Sequence, residues 1–354
     1  MNTPHEGVAF LGPRASYTHQ AALKAFSDSS KYDLQPQVSI EDVFKSVQSG
    51  SCARGVVPFE NSTNGSVVFT LDLFADAHQR YPDILVCGEV YVDVHHCLVG
   101  HMPKEAHSAA TTSALTSPHS SGHATPTAAH PSPAIPRAVP LVSLKGIKKL
   151  YSHPQAWGQC NAFLTTYFKG IERQDVSSTS RAAEIVAADT SGETAAISSE
   201  IAAQVHDLDM LAKGIEDTSD NKTRFFVLRR GNHSAQSNGD SNGGAVDTDT
   251  PAYKTLVSFT ISHSDPGALA DSLAVFKPYN INLTSINARP SGIASWNYIF
   301  FVEVTGRRLK EDTGAVNAAL RDLEKVAREW RWLGSWENML LPKCRPLGKI
   351  DEVS

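Results

Sequence analysis

Ile215-Glu-Asp-Thr-Ser-Asp-Asn-Lys-Thr-Arg-Phe225 runs from a polar turn into an apolar strand, and the chain reads differently on its two sides. On the N-terminal side strand-like and helical runs alternate. Residues 7–12, 55–59, two runs within 84–99, a short run near Leu150, 194–197 and 223–229 have strand character. Residues 19–27, 40–50 (with Val43, Phe44 and Val47 on one face), 68–77, 155–167, 180–188 and 200–205 have helical character. Such alternation predicts an α/β region with mainly parallel sheets, in which ligands bind at the carboxyl ends of the strands.

On the C-terminal side, residues 231–250 are rich in Ser, Asn, Gly and Asp, which is linker composition. Beyond them, 254–263 alternates with Val257, Phe259 and Ile261 on one face, and 268–279 carries Leu269, Leu273 and Phe276 at helical spacing. Strands at 281–289 and 296–304, a helix at 313–330 and a last strand at 333–337 complete a βαββαβ order, the ferredoxin-like topology. A four-stranded sheet of this kind is expected to leave one face open for pairing with another copy.

The chain has 354 residues, enough for two or three domains, and is 41% hydrophobic, 19% charged and of net charge −5. Mild acidity argues against nucleic acid as a partner, since phosphate binding needs a basic face. Five cysteines (Cys52, Cys87, Cys97, Cys160 and Cys344) show no CxxC spacing, which points to a reducing compartment. The first six residues hold no basic start or apolar core of a secretory signal, and no run is long and apolar enough to span a membrane. A cytoplasmic protein is expected. Residues 105–140 are almost wholly Ala, Ser, Thr, Pro and His and read as a disordered surface insertion. The histidines within it, His107, His119, His123 and His130, lack Cys or acidic co-ligands, so no metal site is expected there.

Three further segments place polar residues at the ends of apolar runs: Gly55-Val-Val-Pro-Phe-Glu-Asn-Ser-Thr-Asn-Gly65, Leu150-Tyr-Ser-His-Pro-Gln-Ala-Trp-Gly-Gln-Cys160 and Ser178-Thr-Ser-Arg-Ala-Ala183. Read plainly, they are a strand ending in an Asn-Gly turn, a helix capped by Ser152 and another N-cap. Taken in order with Glu216-Asp217, Thr223-Arg224-Phe225 and the opening Phe10-Leu-Gly-Pro-Arg-Ala-Ser-Tyr-Thr-His-Gln-Ala-Ala22, they resemble the prephenate dehydratase family. The second region resembles the ACT domains of the same enzymes through Gly267-Ala-Leu-Ala-Asp-Ser-Leu273 and Ile281-Asn-Leu-Thr-Ser-Ile-Asn-Ala-Arg-Pro290. Bacterial members often have Glu and Ser before Arg-Pro, where this chain has Asn287 and Ala288. Asp265 and Pro266 also read as an N-cap and first helical residue.

The resemblance implies a two-lobed catalytic region like type II periplasmic binding proteins over residues 7–230, with the second lobe at roughly 94–196 carrying the insertion. A linker at 231–252, an ACT domain at 253–342 and a tail at 343–354 would follow. It implies decarboxylating dehydration of prephenate to phenylpyruvate, with L-phenylalanine as effector, no cofactor or metal, and a homodimer or homotetramer. Arogenate dehydration and non-catalytic amino-acid sensing are the alternatives, and the absence of a long segment before Gly7 argues against a fused chorismate mutase. Among the residues, Thr223 resembles the one that assists hydroxyl departure, with Glu60 and Asn61 beside it. Arg224 would clamp a substrate carboxylate, because a guanidinium pairs with it bidentately. Ser62, Ser152, Gln159 and Phe225 would contact substrate, and His153 is a lesser candidate for general acid. Gly267, Ala268, Leu269, Asn282 and Leu283 would hold the effector, and a truncation ending near Arg230 would remain active but insensitive to it.

Overall fold

The computed structural model describes residues 5–102, 135–231, 252–292 and 294–340. The low-complexity stretch and the linker therefore lie largely outside the described residues. The end of the former is an exception: Ala138 packs on the second lobe's core and Arg137 approaches Glu216 at 3.8 Å. The boundary of the expected insertion shifts accordingly, because those residues are docked.

The chain begins with β1 (Glu6–Leu11), α1 (Tyr17–Ala25), β2 (Tyr32–Gln37), α2 (Ile40–Ser49), β3 (Arg54–Asn61), β4 (Gly65–Ser66), α3 (Val68–Ala75) and β5 (Ile84–Asp93). Ser16 and Ser39 cap α1 and α2 by accepting from the N–H three residues on. The chain then crosses into a second lobe: β6 (Cys97–Gly100), β7 (Lys149–Ser152), α4 (Pro154–Gln159), α5 (Asn161–Tyr167), β8 (Glu172–Asp175), α6 (Thr179–Ala188), β9 (Thr194–Ser198), α7 (Glu200–Val205) and β10 (Asp209–Lys213). It returns through β11 (Lys222–Arg230) to the first lobe. Strand order is β2-β1-β3-β11-β5, with β4 on β3, in lobe one and β10-β6-β9-β7-β8 in lobe two.

Both sheets are mixed, which corrects the expectation of mainly parallel pairing. β1 lies parallel to β2 and β3, and β7 parallel to β8 and β9, whereas β5, β6, β10 and β11 all pair antiparallel. Those four strands flank the two crossings between lobes, and a chain that leaves and re-enters a sheet at one hinge runs in opposite directions there. Because β10 pairs with β6, the second lobe reaches Lys213 and does not end near residue 196. The short strands β2 and β8 carry too few apolar residues for periodicity to reveal them.

The last domain holds β12 (Tyr253–Thr260), α8 (Ala268–Ala274), β13 (Leu283–Pro290), β14 (Tyr298–Thr305), α9 (Ala315–Val326) and β15 (Glu329–Glu337), in sheet order β13-β14-β12-β15. The βαββαβ order stands, but α9 stops at Val326 and Trp330 lies in a strand. One sheet face meets α8 and α9 through Val257, Phe259, Val302, Leu320 and Leu323. The other is not open: Leu256, Phe301, Leu333 and Trp336 join one core with Phe59, Phe74, Phe226 and Val86 of lobe one. This contact explains why β12 is buried along both faces, and it removes that face from pairing with a second copy.

Candidate active site and effector cavity

β3 and β11 run antiparallel, setting Thr223 opposite Asn61 and Arg224 opposite Glu60. Asn61 has a fixed orientation. Its Oδ1 accepts from the backbone N–H groups of Thr63 (3.0 Å) and Asn64 (2.9 Å), closing the turn after β3. Its Nδ2 consequently points the other way and donates to Asn221 Oδ1 (2.7 Å) and Thr223 Oγ1 (2.9 Å). Thr223 is thereby an acceptor toward Asn61, and its own hydroxyl proton remains for another partner. Ser62 closes the same turn, accepting from the Lys222 N–H at 2.9 Å.

Successive residues of a strand point to opposite faces, and β11 uses its two faces differently. Phe225 packs beside Val8, Phe10 and Val56 and is 1% exposed, so it belongs to the core under α1, where no substrate reaches it. Arg224 faces the last domain. Its guanidinium meets Glu89 Oε2 at 2.6 Å and Glu303 Oε2, and lies over the rings of Phe59 and Phe226. Burial works against that charge, but the carboxylates of Glu303 and Glu89 more than offset it, and its pKa is raised. The expected clamp on a substrate carboxylate does not fit a guanidinium so engaged. Glu60 is half-exposed, and its nearest cationic nitrogen is Arg224 Nη1 at 3.9 Å.

From lobe two, Ser152 is wholly buried and donates to the Ile197 carbonyl at 3.0 Å, so it joins β7 to β9 and has no free proton for a ligand. The cap of α4 is His153, whose Nδ1 accepts from the Gln155 N–H at 3.3 Å, in place of the Ser152 cap expected from sequence. Gln159 Oε1 lies 2.6 Å from His96 Nε2. The hinge joins Glu216 and Tyr17, which lie in segments that carry the family resemblance, to His95 and His96, which sequence reasoning passed over. Glu216, on the returning crossing, takes the N–H of His96 (2.8 Å) and His95 Nδ1 (3.0 Å) on the outgoing one. Tyr17, at the start of α1, donates to the His95 carbonyl at 2.9 Å, and burial raises its pKa well above the usual phenol value. Burial likewise lowers the pKa of His96, which stays neutral near pH 7. The paired histidines after β5 were the available signal. Asp217 caps α5 through the N–H groups of Asn161 and Ala162.

Ala15 packs with Ala182 and Ala183 at the first turn of α6, bringing the N-termini of α1 and α6 together between the lobes. The backbone N–H groups of Tyr17, Thr18, Thr179 and Ser180 have no partner among the described residues, and such groups favour anions.

In the last domain a cavity of about 480 Å³ is lined by Ile261, Ser262, His263, Asp265, Gly267, Ala268, Leu269, Ala270 and Leu273. Three of the expected effector residues, Gly267, Ala268 and Leu269, meet there. Asn282 and Leu283 do not: Asn282 pairs through its backbone with Thr305, and Leu283 packs on the domain core. The helix starts at Ala268, and Gly267, at φ 89°, occupies the cap position expected of Asp265.

A family model described as prephenate dehydratase matches residues 8–125 and 134–233. The chain belongs to the prephenate dehydratase family. The bifunctional chorismate mutase/prephenate dehydratase of Aquifex aeolicus is 31% identical over 334 residues, spanning 94% of this chain and 74% of that protein. The prephenate dehydratase of Methanocaldococcus jannaschii is 30% identical over 334 residues, spanning 94% and 98%. Among solved structures, the prephenate dehydratase of Arthrobacter aurescens in complex with L-Phe superposes with a TM-score of 0.70 at 25% identity, covering 94% of this chain and 90% of that one. Among the described residues no helix is long and apolar enough to cross a membrane.

Proposed function

We propose that this chain converts prephenate to phenylpyruvate at the cleft between its lobes, with Thr223 aiding departure of the hydroxyl. The orientation of Asn61 carries this reading. Because Asn61 donates to Thr223 Oγ1, the Thr223 hydroxyl is free to donate a hydrogen bond to an oxygen in the cleft. Loss of carbon dioxide pushes the electrons of the breaking carbon–carbon bond through the ring and expels hydroxide from the opposite carbon, and the product gains aromaticity. A neutral hydroxyl stabilises that departing oxygen by hydrogen bonding and does not transfer its own proton outright. The hydroxide released in this way takes up a proton from solvent. The unpaired N–H groups at the starts of α1 and α6 take over the role expected of Arg224 in fixing the carboxylates.

The cavity beside Gly267 is proposed to bind L-phenylalanine, as the Arthrobacter protein does. Among the described residues β13 pairs only with β14, so its outer edge is available to a second copy, and the homodimer is proposed to form there. The buried free thiols of Cys52, Cys97 and Cys160 suit the cytoplasm. The test is to incubate purified protein with prephenate or arogenate, with and without L-phenylalanine, and follow product absorbance. Turnover of prephenate that phenylalanine suppresses is the expected result; turnover of arogenate alone, or of neither, would overturn the reading.

A further inference from the structure

Arg224, Lys254, Glu89 and Glu303 form a closed set of two cations and two carboxylates, none more than 6% exposed. Lys254 lies 3.4 Å from Glu89 and 3.3 Å from Glu303. The set straddles the seam between the catalytic region and the last domain, with Arg224 on β11, Glu89 on β5, Lys254 on β12 and Glu303 on β14. It adjoins the candidate active site along the chain, since Arg224 follows Thr223 and lies 3.9 Å from Glu60, the residue before Asn61.

The ladder between β11 and β5 runs unbroken from Lys222 to Val227, but the one between β11 and β3 is irregular beside Arg224. Register with β3 slips between Arg224 and Phe225, where Phe225 faces Pro58 while Arg224 faces Glu60. The extra residue is Phe59, on β3, and a bulge bends its own strand and re-aims side chains there. The anchored Arg224 side chain helps set how β11 is seated at this irregular point, and Thr223 is its neighbour. Glu303 is in turn oriented from β13: Thr284 Oγ1 donates to its Oε1 at 2.7 Å. The same strand reaches the turn after β3, where Ser66 donates to Asn287 Oδ1 at 2.6 Å.

We propose that Glu303, a residue of the last domain, is a positioning residue for the elimination, acting through Arg224 to fix the strand that carries Thr223. The charge balance says how. Without the Glu303 carboxylate the cluster holds an excess positive charge, and the nearest further acceptor for Arg224 is Glu60 on β3, so Arg224 would turn toward it and shift the seat of β11. The last domain then completes the catalytic arrangement as well as binding an effector, and β13 carries a link from one to the other. This inference rests on the prephenate dehydratase reading, and wild-type turnover of prephenate tests that reading separately.

The experiment compares wild type, Glu303→Gln and Thr284→Val, each full-length and checked for an intact cooperative melt. Glu303→Gln is expected to lower kcat by about tenfold or more and to leave KM within about twofold, the signature of an interaction that matters in the transition state. It should bind phenylalanine in calorimetry as wild type does while being less inhibited by it. Thr284→Val keeps the shape and removes only the hydrogen bond to Glu303, so a kcat loss of about two- to fivefold at unchanged KM is expected. If Glu303→Gln does not fold, Thr284→Val decides alone. Wild-type kcat in a folded Glu303→Gln, or in Thr284→Val, or an effect confined to KM, would overturn the proposal.

Discussion

The two seams that lobe one makes are of different kinds. Toward lobe two it is polar and narrow: two crossing chains hydrogen-bonded through Glu216, His95 and Asn221, the Tyr17 hydroxyl on the His95 carbonyl, and Ala15 against α6. Toward the last domain it is a shared core, in which Phe59, Phe74 and Phe226 pack with Leu256, Phe301 and Trp336 around four buried charges. Arg331 also donates to the carbonyls of Tyr81, Pro82 and Ile84, and Arg289 pairs with Asp72 through two nitrogens. Elements joined by a continuous core move together, whereas hinge strands joined by a few hydrogen bonds bend. Lobe one and the last domain are therefore expected to move as one body relative to lobe two, and the proposed effector cavity belongs to the body that carries Thr223.

The largest expected effect comes from breaking the thick seam. Truncation near Arg230 strips one side from the shared core and leaves Arg224 and Glu89 without two of their partners. Removing one partner of a buried pair typically costs about 3–5 kcal/mol, before any lost apolar burial is counted. The truncated protein is expected to be insoluble or inactive; soluble material with wild-type kcat would show that the seam is dispensable. This reverses the sequence expectation of an active, insensitive fragment. Next is Thr223→Ala on the cleft face of the same strand, with kcat expected to fall by about 10²-fold or more and substrate binding nearly intact, while Thr223→Ser keeps much of the rate. Steady-state kinetics with isothermal binding separates the two quantities, and near-normal turnover by Thr223→Ala would remove it from the mechanism.

The pattern of apolar residues made the βαββαβ unit and most helices of the first region legible, because amphipathic periodicity is written in the elements themselves. The Thr223–Asn61 pair was legible from family motifs alone, and the structure brings those two together. What stayed hidden was the direction of side chains. Arg224 adjoins Thr223, and the reading as a clamp ignored that neighbours on a strand face opposite ways. Its carboxylate partners Glu89 and Glu303 lie 135 and 79 residues away, in segments that carry no motif. Ser152, Phe225 and the open sheet face failed for a similar reason: burial against a distant element is not encoded at the residue that becomes buried.

Gly334 tests how close the thick seam is. It sits in β15 at φ 132°, and a Cβ there would lie 2.0 Å from the carbonyl oxygen of Val86 in β5. Backbone cannot yield as a flexible side chain can, so Gly334→Ala must part the two strands and lift Trp336 from Phe226. A loss of about 2–4 kcal/mol in denaturant titration is expected, and a change below about 0.5 kcal/mol would mean the strands are free to separate.

The thin seam gives the smallest effect, through pH. His96 is buried at the hinge, its Nε2 beside Gln159 Oε1 and its Nδ1 without a partner, and burial lowers its pKa from the ordinary 6.5. As pH falls below that ordinary value the unfolded chain takes up a proton that folded His96 refuses. Stability therefore falls with pH from about 6.5 down to the lowered folded value, by at most about 1.4 kcal/mol per pH unit for one proton. His19 and His153, also lowered by burial, add slope of the same sign, and Asp217, raised by burial, works the other way once the pH approaches its own range. Replacing His96 by Gln keeps a polar group near Gln159 and removes one titration, so the variant should show a shallower fall in melting temperature between pH 7 and 5.5. An unchanged slope would mean that His96 takes up its proton while folded, with the hinge open enough to admit water, and the two seams would then differ even more than their static contacts suggest.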